Sequence, residues 1–304
     1  MPYLDAAGWV QRGESGQSIV ALGGGHGLSA TLRALRHITR ALTAVVTVAD
    51  DGGSSGRLRQ EMPILPPGDL RMALASLCEE SEWGLTWRDV MQLRLDTTGP
   101  LNGHALGNLI ISGLWQLLDD PVEGLDWVGR LLGAQGRVLP MATTPIDIEA
   151  DMNDGGHCYV VSGQCKVAIA PGTVEHVRIT PEAPEVPAAV IDAISEADWV
   201  VLGPGSWYTS VIPHLLVPAA EMLRLRLRLG LRRRIGFRLL IAPRVFGALI
   251  LREAETNLLL RGHWRAVTLR RIRVGVIRTI PRHRPTSRRR APSIAPLTWL
   301  LYLR

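Results

Sequence analysis

Short apolar runs alternate with segments of helical period along the first two thirds of the chain. Ile19 to Leu22 is an unbroken apolar run, the mark of a strand buried on both faces. Leu28, Leu32, Leu35 and Ile38 then recur at helical spacing, and Thr43 to Ala49 forms a second apolar run. Strand, helix and strand in that order predict a βαβ unit of parallel sheet. Further on, the pattern predicts helices over Leu70 to Leu77, within 83–100, and over Leu109 to Leu118, Leu125 to Leu132 and Ala188 to Ala197. A buried strand is expected over Asp198 to Leu202. In between the texture changes. Val138 to Met141, Ile146 to Met152, Cys158 to Val161, Cys165 to Ile169 and Val174 to Ile179 read as short strands, with Asn153-Asp154-Gly155-Gly156 as a hairpin turn. The expected fold class is α/β. A Rossmann-like parallel sheet is flanked by helices and carries a small β-rich insertion over about 137–180.

The strand ends carry the candidate chemistry. The first strand runs into Gly23-Gly24-Gly25-His26-Gly27 just before a helix. Glycines let the backbone approach a ligand closely, and free N–H groups at a helix start favour a phosphate or diphosphate. The second strand ends in Asp50-Asp51-Gly52-Gly53-Ser54-Ser55-Gly56, placing two carboxylates and two hydroxyls at the same sheet edge. Strand Asp198 to Leu202 leads into Gly203-Pro204-Gly205-Ser206-Trp207-Tyr208-Thr209-Ser210, a third loop fit for a phosphate or sugar. In an open parallel sheet, ligands bind at the carboxyl ends of the strands. Two more stretches are ambiguous on spacing alone. Asp69 follows Pro66-Pro67-Gly68 and reads as an N-cap or, with Arg71, as a group facing the ligand. His104 and Asn108 flank a glycine-bearing helix start that suits a polar ligand and close packing equally well. Gly25-x-Gly27-x-x-Ala30 also satisfies the loose dinucleotide fingerprint, with an acid about 20 residues on. The Gly-Gly-Ser-Ser after Asp50-Asp51 suits phosphate better than a ribose, so an NAD-dependent oxidoreductase ranks low.

Charge changes the picture, because it is divided. Residues 1–223 are net acidic at −13, whereas 224–304 carry 21 Arg, two acids and no Asp, for +19. The basic balance therefore belongs to the tail, and nucleic acid is not an expected partner of the body. The tail alternates Leu and Arg near LRLRLRLGLRRR, and no α/β periodicity continues. It fits a basic nucleic-acid arm, a membrane-surface amphipath or an out-of-frame translation of GC-rich DNA. One Lys against 33 Arg favours the last. Three cysteines without metal spacing read as reduced thiols of a cytoplasmic protein. The first 17 residues read as a flexible lead without a basic-then-apolar signal. No stretch has about 18 uncharged apolar residues, so no membrane span is expected.

Six motifs, in order, carry a resemblance: GGGHGLSATLRAL, VVTVADDGGSSGRLRQE, ILPPGDLRMAL, GHALGNLI, GRVLPMATTPIDIEADM and VLGPGSWYTSVIPHLLVP. Over about 18–219 the chain resembles the YvcK-type gluconeogenesis factors of the CofD-like (2-phospho-lactate transferase-like) family. The resemblance implies a cytoplasmic homodimer that binds UDP-N-acetylglucosamine and acts in carbon flux, cell-wall synthesis and cell shape. The transferase branch instead moves a phospholactyl group from a nucleotide-activated donor with a divalent metal. On the gluconeogenesis reading no residue is catalytic. Gly23, Gly24, Gly25, His26 and Gly27 hold the diphosphate, and Asp50, Asp51, Ser54 and Ser55 line the neighbouring pocket, the two aspartates as candidate Mg²⁺ ligands. Asp69, Arg71, His104 and Asn108 complete that pocket. Gly203, Gly205, Ser206, Thr209 and Ser210 hold the opposite edge. His26 stands where the family usually has Thr, and 224–304 does not look like the family's C-terminal lobe.

Overall fold

The computed structural model describes residues 16–217 and three short strands beyond them. The lead 1–15 and the rest of the tail lie outside the described residues, and with them most of the sequence over which the readings of the tail compete. Strands β1 (Ile19–Gly23), β2 (Leu42–Val46), β3 (Arg137–Pro140) and β7 (Trp199–Leu202) are joined by β8 (Arg238–Ile241), β9 (Gly275–Val276) and β10 (Leu301–Tyr302) in one sheet of order β3-β2-β1-β7-β8-β10-β9. The first five strands in that order run parallel, and β10 runs antiparallel to both β8 and β9. The three late strands were not expected from the Leu/Arg alternation, although β8 coincides with the short apolar run Leu239-Leu240-Ile241.

Strands β2 and β3 are laid to one side of β1, and β7 and β8 to the other. The direction of winding therefore reverses between β1 and β7, which opens a crevice at their carboxyl ends. Helices α1 (Gly25–Leu35), α2 (Gly53–Glu61), α3 (Pro67–Leu77), α4 (Glu82–Gln92), α5 (Leu106–Leu118), α6 (Pro121–Leu131) and α8 (Ala188–Glu196) are the helices of this body. Leu28 and Leu32 of α1 are buried in one core with Leu70, Leu74 and Leu77 of α3, each at most 1% exposed. That core fixes where the two helices begin, and both begin at the crevice.

The β-rich insertion is smaller than its sequence suggests. Val138 to Met141 is not part of it: Arg137–Pro140 pairs parallel with β2, because its Val-Leu run is buried like the other central strands. The separate sheet is antiparallel, of order β5-β4-β6, from β4 (Asp147–Asp154), β5 (His157–Ser162) and β6 (Thr173–Thr180). Gly155 and Gly156 make its two-residue hairpin, and Gly156 N–H donates to Asn153 Oδ1 at 2.9 Å. The expected strand Cys165 to Ile169 is instead a short helix, α7 (Gln164–Ile169). Gly163 lies in the left-handed region at φ 105°, which ends the preceding strand, and Asp51 Oδ1 accepts the N–H of Cys165 in the first turn. Helix α2 was also not foreseen, since its only buried large apolar side chain is Leu58.

Candidate functional site

The turn after β1 is closed from three sides. Gly23 carbonyl accepts from Thr47 N–H at 2.9 Å and lies 3.2 Å from His214 Nε2, at the start of α9 (Ile212–Leu216). His214 is buried, and loss of hydration pushes its imidazole down to about 4. It is therefore neutral at working pH and donates from Nε2 to that carbonyl. A side chain at Gly24 would run into Thr47 Oγ1 and lie 2.6 Å from Asp69 Oδ2. One at Gly27 would overlap the Pro204 carbonyl. The loops after β1 and β7 thus touch backbone to backbone, and Gly203 N–H donates to Leu22 carbonyl at 3.1 Å. His26 points to solvent beside them.

Asp69 is not an N-cap. Helix α3 starts two residues earlier, with Pro67 preset for the first turn and no side chain capping it. The half-buried Asp69 carboxylate reaches across to α1 instead, accepting from Gly25 N–H and, at 3.5 Å, from Thr47 Oγ1. It occupies the helix start where an anion was expected. Loss of hydration, then the charge of Asp50, raises its pKa from 3.8 to about 6. The folded value lies above the unfolded one, so the fold favours the neutral form. This contribution to stability is full below about pH 4 and is lost as pH rises through 6. Asp69→Asn, which mimics the neutral group, should equal the wild type near pH 4 and exceed it above pH 6. Urea unfolding at both pH values checks this, and a constant difference would contradict it.

The two neighbouring aspartates diverge. Asp50 Oδ1 accepts from Gly52 N–H at 3.0 Å, and its Oδ2 lies 2.7 Å from where a side chain on Gly68 would start, at the head of α3. Asp51 turns to α7, where it accepts Cys165 N–H at 2.9 Å and faces the thiol. That contact, ahead of burial, pushes the Cys165 thiol up to about 11. Asp51→Asn should therefore lower the thiol pKa and speed alkylation of the exposed Cys165 by iodoacetamide at pH 8 by about tenfold, since the thiolate is the nucleophile. Exposed Cys158 is the internal reference. An unchanged ratio of the two rates would mean that Asp51 does not hold the insertion in this way.

Beyond Asp69, the start of α2, α3 and α5 meet in a buried polar cluster. Ser54 Oγ accepts from Asn108 Nδ2 at 3.0 Å and from Ala105 N–H at 3.4 Å, and lies 2.9 Å from His104 Nδ1. With two N–H groups directed at it, the hydroxyl donates its own proton to Nδ1. His104 is then neutral and carries its proton on Nε2, in keeping with a pKa lowered by burial and by the charge of Arg57. Ser55 Oγ accepts Gly68 N–H at 2.9 Å, holding the head of α3. Arg71 Nε donates to Asn108 Oδ1 at 2.9 Å. Only 5% of Arg71 is exposed, and its buried Nη1 has no acceptor among the described residues. Burial, then the charge of Arg94, lowers it to about 10, so it stays a cation at neutral pH.

The remaining group closes the far side of the crevice. Ser206 opens a π-helical turn, Trp207–Val211, with its side chain accepting from Thr209 N–H at 3.3 Å and its carbonyl accepting from Ser210 N–H at 2.9 Å. Gly205 and Ser206 are exposed at the mouth; Gly203, Thr209 and Ser210 are buried behind them. The structure thus gathers the glycine turn, Asp50, Asp69 and Arg71 with His104, Asn108 and Ser54, and sets the Gly203 to Ser210 loop against the turn. Asp51 turns to α7 and Ser55 to the head of α3, each to a structural partner. Sequence reading did not single out Thr47 or His214, whose only signal is their position in the quoted motifs.

Among the described residues no group of three or more His, Cys, Asp or Glu is placed to hold a metal ion, and no helix is long and apolar enough to cross a membrane. Residues 19–224 match the family described as 2-phospho-L-lactate transferase CofD. The Bacillus subtilis gluconeogenesis factor is 42% identical over 200 residues, covering 66% of this chain and 61% of its own length. A candidate gluconeogenesis factor of Mycobacterium tuberculosis is 55% identical over 204 residues, covering 66% and 60%. This chain therefore spans about three fifths of the length of these relatives. A crystal structure of a Bacillus halodurans protein of the UPF0052 family superposes with a TM-score of 0.63 at 40% identity, covering 68% of this chain and 64% of that one. The matched segment carries β1, β2, β3 and β7 of the sheet and the crevice just described, and the chain belongs to the CofD family, in which it is similar to the gluconeogenesis factors.

Proposed function

We propose that the crevice binds a nucleotide sugar, UDP-N-acetylglucosamine, and that the chain acts as a regulatory factor in gluconeogenic growth, cell-wall synthesis and cell shape, in the cytoplasm and as a homodimer, without turnover of its own. The observation that carries the reading is Arg71. A buried guanidinium with an unpaired N–H at the carboxyl edge of a parallel sheet calls for an anion, and a diphosphate supplies one. Asn108 and the Nε2–H of His104 add neutral donors beside it. Gly205 and Ser206 at the mouth suit the sugar.

Absence of turnover is supported by the state of Ser54. It is the hydroxyl beside a histidine, but it is buried and both accepts and donates within the cluster, so it is not poised to attack a substrate. A Mg²⁺ arriving with the diphosphate fits Asp50 and Asp69, whose charges interact, better than Asp50 and Asp51, which turn apart. Calorimetry with UDP-N-acetylglucosamine, with and without Mg²⁺ and with NAD as control, tests the reading. Selective binding of the UDP-sugar is expected. Binding of NAD alone would overturn it, and metal-dependent consumption of an activated donor would replace it with a CofD-type transfer.

A further inference from the structure

The ends of α1 and α3 away from the crevice border a second concavity, of about 650 Å³. Arg33, Arg36 and His37 reach it from the end of α1, Ser76 from α3, and Arg88 and Gln92 from α4. Two carboxylates answer this positive charge, and both are themselves exposed: Glu80, 3.4 Å from Arg36, and Asp89, 2.7 Å from Arg88. Arg36 is the deepest of the cations, with its side chain 8% exposed. Its Nη1 donates to the Ser76 carbonyl at a long 3.3 Å, its side chain lies against the buried Cys78 thiol, and its buried Nε has no oxygen or nitrogen acceptor among the described residues.

A structural reason accounts for part of this. A cation at the end of a helix is stabilised by the terminal carbonyls, and Arg36 meets one such carbonyl at the end of α3. That leaves Nε unpaired, and it gives no reason for Arg88 to enter the same cleft from α4. Guanidinium groups repel one another, and a partly dehydrated one with missing acceptors is better satisfied by an anion that several donors can share. The rest of the lining limits the kind of anion. Leu85 and Ala75 are apolar, Gln92 offers an amide, and Ser29 and Ser76 pair hydroxyl to hydroxyl at 2.7 Å. The volume falls within the range of small-molecule sites.

We propose that this cleft is a binding site for a phosphate monoester of a small hydroxylated compound, separate from the nucleotide-sugar crevice. The phosphate lies among Arg33, Arg36 and Arg88, and the hydroxylated body faces Gln92 and the serine pair. The inference does not depend on what the crevice binds.

Glucose 6-phosphate is a suitable probe, titrated by calorimetry into the full chain at low salt with glucose and inorganic phosphate as controls. Saturable binding is expected, tighter than that of inorganic phosphate and unchanged by saturating UDP-N-acetylglucosamine. Arg33→Gln with Arg88→Gln, both at exposed or half-exposed positions, should weaken it at least tenfold while leaving the melting temperature near that of the wild type. Arg36→Met should abolish it. No binding by the wild type, equal binding by the double variant, or displacement by the UDP-sugar would each overturn the proposal. Equal affinity for inorganic phosphate would overturn the assignment of an ester.

Discussion

Arg71→Met is expected to weaken UDP-N-acetylglucosamine binding by at least about 100-fold, roughly 3 kcal/mol, while changing thermal stability little. The two halves of that result have separate causes. In the free protein the guanidinium is buried and its Nη1 has no acceptor among the described residues, so an apolar side chain of similar length removes a desolvated charge, at the cost of leaving Asn108 Oδ1 without its donor and Asp69 and Asp50 without a nearby cation. With ligand bound, the same guanidinium is the cation that answers the diphosphate. Arg71→Lys keeps the charge without the two-pronged geometry and should lie between the two. Calorimetry and thermal melts on the same preparations check both halves. A large fall in melting temperature with binding retained would make Arg71 a structural residue and remove the main support for the crevice as the ligand site.

Gly27→Ala should destabilise the protein by about 2–3 kcal/mol and abolish ligand binding with it. The added methyl group would overlap the Pro204 carbonyl, which is backbone and cannot swing aside as a side chain would. The loop after β7 must move, and with it the Ser206 turn that forms the far edge of the crevice. A melting temperature lower by roughly 5–10 °C is the expected reading. Gly113→Ala is the control, in α5, where an added methyl group would meet no other described residue within 4 Å beyond its own stretch of helix. It should stabilise slightly, because alanine favours a helix by up to about 1 kcal/mol. If Gly27→Ala behaves like Gly113→Ala, the two loops are not in contact.

The parts of this architecture visible in the sequence are those with a local cause. Short, largely apolar runs predict β1, β2 and β7 because buried parallel strands need apolar side chains on both faces. The glycine clusters after them were legible because close backbone approach requires the absence of a side chain. Helices α2 and α7 were not legible, since each buries almost nothing apolar and is held by contacts from elsewhere. The β3 run reads as a strand in the sequence, but its sheet does not follow from it, because its partner β2 lies far back in the chain. Asp69 shows the same limit at a single residue. Its place after two prolines suits a cap, but α3 begins early and turns the carboxylate towards a helix 44 residues before it, at Gly25. The unpaired N–H of Arg71 has no sequence signal at all, because it is defined by what fails to surround it.

The bond from His214 to the Gly23 carbonyl joins residues 191 apart. During synthesis on the ribosome, the glycine turn emerges early, together with the strand and helix beside it. Its last support arrives only after almost the whole matched segment has left the exit tunnel. Nascent chains halted before residue 214 should therefore carry the motif without the pocket, and ligand capture by such chains would begin only once that histidine is free to reach back.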